Sequence, residues 1–516
     1  MKKILLLSVL LVLAGLLFGA WLLGGEGSQE AVPELTAAQK REDFAFLAKL
    51  VKEAYPLGQV LQTDKGLADP DELSQDFITR AGKTPDNAAF LELFFEYMTF
   101  LGQAGHAQAV FDEPYEPLLA YFYNIDKQAY RSREYWRELA AGVQMYVYSE
   151  ADIYYEQGKY VLKQDYYAGE SLFPAGSVIK RVDGLAVEAY AKSVQTRLHL
   201  AWDAELHQVY LQTLLGADPG TGAWLIEAVR PDGTVARGDF PVYQGYKPPY
   251  PDDQQDSNVI TRELDGQTGY IKIFSFAGDK EQDGRAIQEF MQQSAGKYSK
   301  LIIDLRRNGG GEDDYWADNL VKPLLQAPVD YVQSASVKKS FLERYGLRFR
   351  LYKQLVSSTL TQRDRYDVTG VTREYLPDLD SAEWVTYRVT KHWEPENSFP
   401  FNGKLVVLVD NDSFSAADNF TAAVRKLGLG TVAGTNTGGG ACVYMEPYRY
   451  ALPNSGLMFK LETDLNRNAE GQINEIYGTQ PDVLLESSRY PTAYPAGYDP
   501  EELKQDEWVR KVMEGL

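Results

Sequence analysis

Two short segments of the 516-residue chain hold residue types and spacings suited to attack on a carbonyl carbon. The first, Val409-Asp410-Asn411-Asp412-Ser413-Phe414-Ser415-Ala416-Ala417-Asp418, reads as the end of a buried strand passing through a small-residue elbow into a helix. A serine at that junction exposes its hydroxyl beside the free N–H groups of a helix N-terminus, which favour a developing oxyanion. The same position also suits a plain N-cap, in which Ser413 or Ser415 only accepts a hydrogen bond from the first turn. The second segment, Leu305-Arg306-Arg307-Asn308-Gly309-Gly310-Gly311, sets three glycines directly after a buried strand. Backbone N–H groups there can approach an anion closely. Glu312, Asp313 and Asp314 follow, where a phosphate loop needs Lys-Ser/Thr. Phosphate is therefore disfavoured, and an oxyanion hole or a tight turn remains.

Other reactive types are scarce. His106, His199, His207 and His392 are the only histidines, and Cys442 is the only cysteine. No disulfide can close within the chain, and a Cys/His zinc site is not expected. Cys442 follows Gly438, Gly439 and Gly440 with no base evident beside it, and reads as a passive small residue. No metal or organic cofactor is called for. The net charge of -21, the pI of about 4.8 and the lack of a basic stripe argue against a nucleic-acid partner.

The elements that would position these residues fall into regions. Phe44, Leu47, Leu50, Val51 and Ala54 recur at helical spacing up to Pro56, and Phe77, Leu91, Phe94, Met98 and Leu101 continue the pattern to Gly102. Residues 37–150 are read as a helical domain. Short strands then dominate 151–250: Tyr160–Lys163, the Pro174–Gly184 segment, and the pair Ala223–Arg230 and Val235–Phe240 about the turn Pro231-Asp232-Gly233. Residues 260–490 read as an α/β layered domain, with strands Tyr270–Phe274, Leu301–Leu305 and Leu405–Val409 and helices Glu281–Gln293 and Ala416–Leu427. A charged, aromatic insertion at 330–400 interrupts it, and 491–516 is read as a C-terminal tail.

The elbow and the glycine loop, with Gly434–Gly440 and Pro481-Asp482, resemble the family of C-terminal processing and tricorn proteases, the S41 serine peptidases. Glu42-Asp43-Phe44 and Tyr55-Pro56 are similar to that family's opening helix, and Pro174–Gly184 is similar to its embedded PDZ domain. The resemblance implies a multidomain α/β fold: a ClpP/crotonase-like α/β core with an N-terminal helical domain and a PDZ-like insert. It also implies Ser415 as nucleophile. In one branch a lysine 25 residues beyond the serine is the base, but that position is Gly440 and no lysine lies between Lys426 and Lys460. The tricorn-like branch uses Ser, His and Glu. His106, after Leu101-Gly102, takes the place of its base, although Gly105 stands where a polar residue is common. Glu475, seven residues before Asp482, takes the place of its acid, orienting the imidazole directly or through a small relay. The N–H groups of Gly310 and Ala416 would form the oxyanion hole. A peptide or protein is the implied substrate; a non-catalytic peptide-binding scaffold, or an esterase or ligand carrier, is the alternative on the same fold.

Lys2 and Lys3 precede an uncharged run from Ile4 to Gly25, long enough to span a hydrocarbon core of about 30 Å. Residues 1–25 are read as a membrane anchor or signal segment, with 26–36 as linker. The N-terminal charge keeps that end in the cytoplasm and the remainder outside it.

Overall fold

A computed structural model describes residues 32–112, 115–245, 257–294, 296–346, 383–396, 401–443, 446–485 and 497–516. The apolar run expected as an anchor or signal lies outside them. Among the described residues no helix is long and apolar enough to cross a membrane.

The chain enters through α1 (Ala37–Ala54), whose N-cap Thr36 accepts from the Gln39 N–H while the Gln39 side chain returns a bond to Thr36. Asp69 caps α2 (Pro70–Ala81) by accepting from the Asp71 and Glu72 N–H groups, and Asp86 caps α3 (Asn87–Leu101) by accepting from the Ala89 N–H. Helix α4 (Lys127–Ala140) completes the lobe. These helices do not close a core by themselves. Phe44, Phe77, Phe94 and Leu101 are continuous with buried Tyr448, Tyr450, Leu457, Phe459 and Leu461 from far along the chain. A two-residue strand, Gln108–Ala109, seals the junction by pairing antiparallel with Lys460 and Phe459.

The middle region forms an antiparallel sheet about Val178–Val182, Ala223–Val229 and Val235–Gln244. The Pro231-Asp232-Gly233 turn joins the last two, and the Gly233 N–H donates to Arg230 O at 2.9 Å.

A six-stranded sheet carries the two reactive segments. Its strands are β1 (Val259–Glu263), β2 (Thr268–Ile273), β3 (Lys300–Asp304), β4 (Lys404–Val409), β5 (Thr431–Gly434) and β6 (Val483–Leu484), in that spatial order. Only the β1–β2 pair is antiparallel. Helix α5 (Lys280–Ser294) and helix α6 (Ala416–Leu427) cover one face through Ile287, Met291, Phe420 and Val424. The segment expected as a tail is not one. Pro500–Leu503 and Glu507–Glu514 are helices that bury Leu503, Trp508, Val509 and Val512 on the opposite face, against Tyr270, Ile302, Val406 and Leu408. Arg306 pins this layer: its guanidinium meets Asp304 from β3 and Asp506 from the helix cap, with all three side chains almost fully buried. The apolar run of each strand supplies side chains to both layers, so the pattern is continuous rather than alternating.

Within the expected insertion at 330–400, Val329–Lys338 and Trp384–Trp393 pair along ten residues as a long hairpin. Asp464–Asn466 adds a third strand to it.

Candidate active site

Parallel pairing of β3 with β4 brings their carboxyl ends side by side, so the glycine loop after β3 faces the elbow after β4. In open α/β sheets this end of the strands is where ligands bind. The Phe414 N–H donates to Asn308 O at 3.0 Å and the Ser415 N–H to Gly439 O at 2.8 Å, tying the elbow between two glycine-bearing loops.

The two serines separate cleanly. Ser413 is fully buried; its hydroxyl donates to Leu305 O at 2.8 Å and accepts from the Asp410 N–H at 3.0 Å. It is a structural clasp between β3 and the elbow. Ser415 occupies the N-cap position of α6, but its side chain makes no capping bond. Its backbone has φ 58° and ψ −116°, a conformation that costs a non-glycine residue of the order of 1–3 kcal/mol and that the surrounding bonds must enforce. The hydroxyl has no hydrogen bond among the described residues, and Ser415 lines a cavity of about 410 Å³ together with His106, Gly311, Glu312, Ala416 and Cys442.

Gly310 is required where it lies. At φ +101° a Cβ would fall 2.7 Å from Phe414 O, 2.8 Å from Ser415 Cβ and 2.9 Å from Ala416 N. The expected oxyanion pair changes by one residue, however. The Gly310 N–H donates to Asn308 Oδ1 at 2.9 Å and is engaged. Gly311 lines the cavity, and neither its N–H nor that of Ala416 has a partner among the described residues. Ala416 N–H opens the first turn of α6, where no carbonyl is available to it.

His106 reaches this cavity from the helical lobe. Tyr55 Oη sits 2.7 Å from both Leu101 O and Ala104 O, fixing the turn that precedes the histidine. The imidazole lies against the Phe414 ring, with centroids 4.9 Å apart. Its Nδ1 lies 2.5 Å from Glu462 Oε1, and the His106 backbone N–H donates to the same oxygen. Nε2 has no hydrogen bond among the described residues. No bond closes between Nε2 and Ser415 Oγ here, as is common before a substrate is bound.

Glu475 does not touch the imidazole. Its Oε1 accepts from the Gly105 N–H at 2.9 Å and lies 3.4 Å from Lys65 Nζ. Burial pushes its carboxyl above the ordinary range, against the pull of Lys65 and the Gly105 N–H. The carboxylate on the histidine is Glu462. Gly105, unusual at this position, makes room for it: at φ +74° a Cβ would sit 2.3 Å from Glu462 Cδ. Asp418, fully buried on α6, accepts from Asn474 Nδ2 at 2.9 Å and from the Thr479 N–H at 3.0 Å, binding the Glu475 segment to the nucleophile helix. His199 Nδ1 lies 3.2 Å from Gly102 O, and His392 pairs with Asp330. With His207 they line no part of the Ser415 cavity. Burial, then the carboxylates of Asp464 and Glu462, hold the Cys442 thiol well above its usual range, which keeps it protonated and a poor nucleophile.

A half-buried serine on a strained strand-to-helix turn, an imidazole oriented by a carboxylate, and two N–H groups unpaired among the described residues are the parts of a serine hydrolase. Residues 267–485 match the model of peptidase family S41, and that match supports a serine-type peptidase. Solved structures to which it is similar include mature CPAF, with 14% identity, 87% of this chain and 93% of that chain covered, and a TM-score of 0.54. Mature CPAF complexed with lactacystin is another, with 14% identity, 92% and 97% covered, and a TM-score of 0.54. At this identity the likeness is one of fold. No curated protein matches the sequence.

Proposed function

We propose that the chain hydrolyses peptide bonds through an acyl-enzyme on Ser415. The reading rests on one observation above all: Ser415 is held in a strained conformation, its hydroxyl without a hydrogen bond among the described residues, in a cavity lined also by His106, whose Nδ1 is fixed by Glu462. Nε2 takes the hydroxyl proton as Oγ attacks the carbonyl carbon. The oxyanion forms beside the Gly311 and Ala416 N–H groups, and losing one such donor costs about 10²–10³ in rate. The imidazolium then gives its proton to the leaving amine, and water, deprotonated by Nε2, releases the acyl group. Glu462 keeps the Nδ1 proton in place and stabilises the imidazolium. Glu475 and Lys65 hold the turn beneath the histidine.

The apolar run at Ile4–Gly25 behind Lys2 and Lys3 supports an extracytoplasmic site of action, with the body of the protein tethered to the membrane or released on cleavage of that run. The Pro174–Gly184 region is assigned a PDZ-like role beside the catalytic unit.

A fluorophosphonate probe tests the proposal. The full chain labels covalently at Ser415, and Ser415→Ala abolishes both labelling and peptide cleavage. Labelling that persists in that variant would refute the assignment.

A further inference from the structure

Cys442 has no part in the acyl-transfer steps above, yet it is placed as if to intervene in them. Its Sγ lies 3.9 Å from His106 Nδ1, on the ring nitrogen that also faces Glu462. One ligand atom from each of His106, Cys442 and Glu462 lies within 4.8 Å of the others. The Glu462 side chain is 5% exposed, and its Oε2 is buried without a hydrogen-bond partner among the described residues. A carboxylate oxygen left unpaired in the interior is a costly arrangement that a cation would relieve. Cys442 and His106 both line the Ser415 cavity, so an ion can reach these two ligands from it.

We propose that His106 Nδ1, Cys442 Sγ and Glu462 form a site for a borderline-soft divalent cation, zinc above all, and that its occupation switches the peptidase off. Three protein ligands of the N, S and O types with a fourth position left to water are the donor set of an open zinc site. Metal–ligand distances of about 2.0–2.3 Å place the ligand atoms roughly 3–4 Å apart in a tetrahedron, so Cys442 and His106 already stand at the required separation. Glu462 has to withdraw slightly from Nδ1, or turn its unpaired Oε2 towards the ion. Expecting no Cys/His zinc site counted cysteines and histidines only. Here a carboxylate from a distant strand completes the set.

The consequence for catalysis follows from proton positions. Binding releases the Cys442 thiol proton to solvent. Nδ1 gives its lone pair to the metal, so the proton it carried for Glu462 moves to Nε2. A ring with N–H at Nε2 cannot accept the Ser415 hydroxyl proton, and the general base is lost while the nucleophile stays intact. The inhibition is reversible, because no bond to carbon is made.

The proposal rests on the peptidase reading only for its effect on activity, and the test keeps the two apart. Zinc binding to full-length Ser415→Ala is measured by competition with a chromophoric chelator, and cobalt is added in its place to read thiolate-to-metal charge-transfer absorption. The expected result is one ion per chain with the charge-transfer band present. Cys442→Ser removes the band and weakens binding by more than about 100-fold, beyond the loss typical of an outer-shell change. In the chain with Ser415 intact, zinc suppresses peptide cleavage and a chelator restores it. Cys442→Ser keeps the same cleavage rate with and without added zinc, each read against its own zinc-free value. Absence of binding, or binding without the charge-transfer band, overturns the metal site. Binding by a chain that cleaves no peptide even after chelation leaves the metal site standing and overturns the peptidase reading instead. Should Cys442→Ser not fold, the cobalt spectrum of the Ser415→Ala protein alone decides.

Discussion

His106 and Glu462 face each other because two short strands pair in one register. Gln108 is opposite Lys460 and Ala109 opposite Phe459. The ladder stops there, and His106 and Glu462 stand two residues beyond its last pair, one on each segment, where the pairing brings the two segments together. His106 lies in the turn just before one strand and Glu462 just after the other, so this pairing, with the Tyr55 clasp on that turn, positions the imidazole and its carboxylate. This makes Glu462 the residue whose loss is felt first at Nδ1. Glu462→Gln leaves the shape intact but presents an amide to the ring. The expected outcome is a fall in kcat of about 10²–10⁴ with KM nearly unchanged, as when the orienting acid of a triad is amidated. Glu475→Gln keeps an oxygen for the Gly105 N–H, and its kcat falls by less. Steady-state kinetics on the two variants checks the order; a larger loss at Glu475 would return the orienting role to that residue.

The serines make an internal control. Ser415→Ala removes a hydroxyl with no hydrogen bonds among the described residues, so the melting temperature holds while turnover vanishes. Ser413→Ala deletes a fully buried donor and acceptor between Leu305 O and the Asp410 N–H. It destabilises by about 1–3 kcal/mol and leaves the chemistry in place. Differential scanning calorimetry with a cleavage assay on the same samples separates the two effects.

Gly310→Ala tests the close approach of the loop to the elbow. The new Cβ meets only backbone atoms and Ser415 Cβ, none of which can swing aside, and the position has φ +101°. Displacing the nucleophile by about 1 Å costs on the order of 10² in kcat. Retention of full activity would show that the loop does not set the serine.

Asp304 ties acid stability to the sheet. Burial pushes its carboxyl up, but Arg306 and Lys272 outweigh that and carry it down from 3.8 to about 2. A group whose acidity is strengthened by folding adds stability above its ordinary value. That contribution, about 2 kcal/mol, is present above pH 3.8 and is lost as pH falls towards 2. Asp304→Asn leaves Arg306 and Lys272 short of a buried partner and destabilises by about 3–5 kcal/mol at neutral pH. The gap in melting temperature between the two proteins narrows across that acid window. A gap that stays constant down to pH 2 would remove Asp304 from the acid response.

The α/β region was legible because its signals are local. An apolar run followed by Asn-Gly-Gly-Gly, and another followed by an elbow serine, state in consecutive letters that a strand ends at a site. The helical spacing from Phe44 to Leu101 likewise announces its lobe. Glu462 was not legible. Lys460-Leu461-Glu462 reads as a strand end wherever it falls, and nothing near it says that it pairs with Gln108–Ala109, some 350 positions earlier. The glycine run offers several neighbouring N–H donors, and nothing local in it says that Asn308 claims the one of Gly310. The supposed tail misled for a related reason. Trp508, Val509 and Val512 have a clear helical spacing, but the sheet face they cover belongs to strands far away in sequence.

The strand formed by Gln108–Ala109 has a bearing on when the protein becomes dangerous. A chain still being made presents His106 long before Ser415 exists, and the partner strand bearing Glu462 follows later still. Until that strand arrives the imidazole has nothing to aim it. On the peptidase proposal, the site is complete only in molecules that have joined their opening lobe to their distal strands.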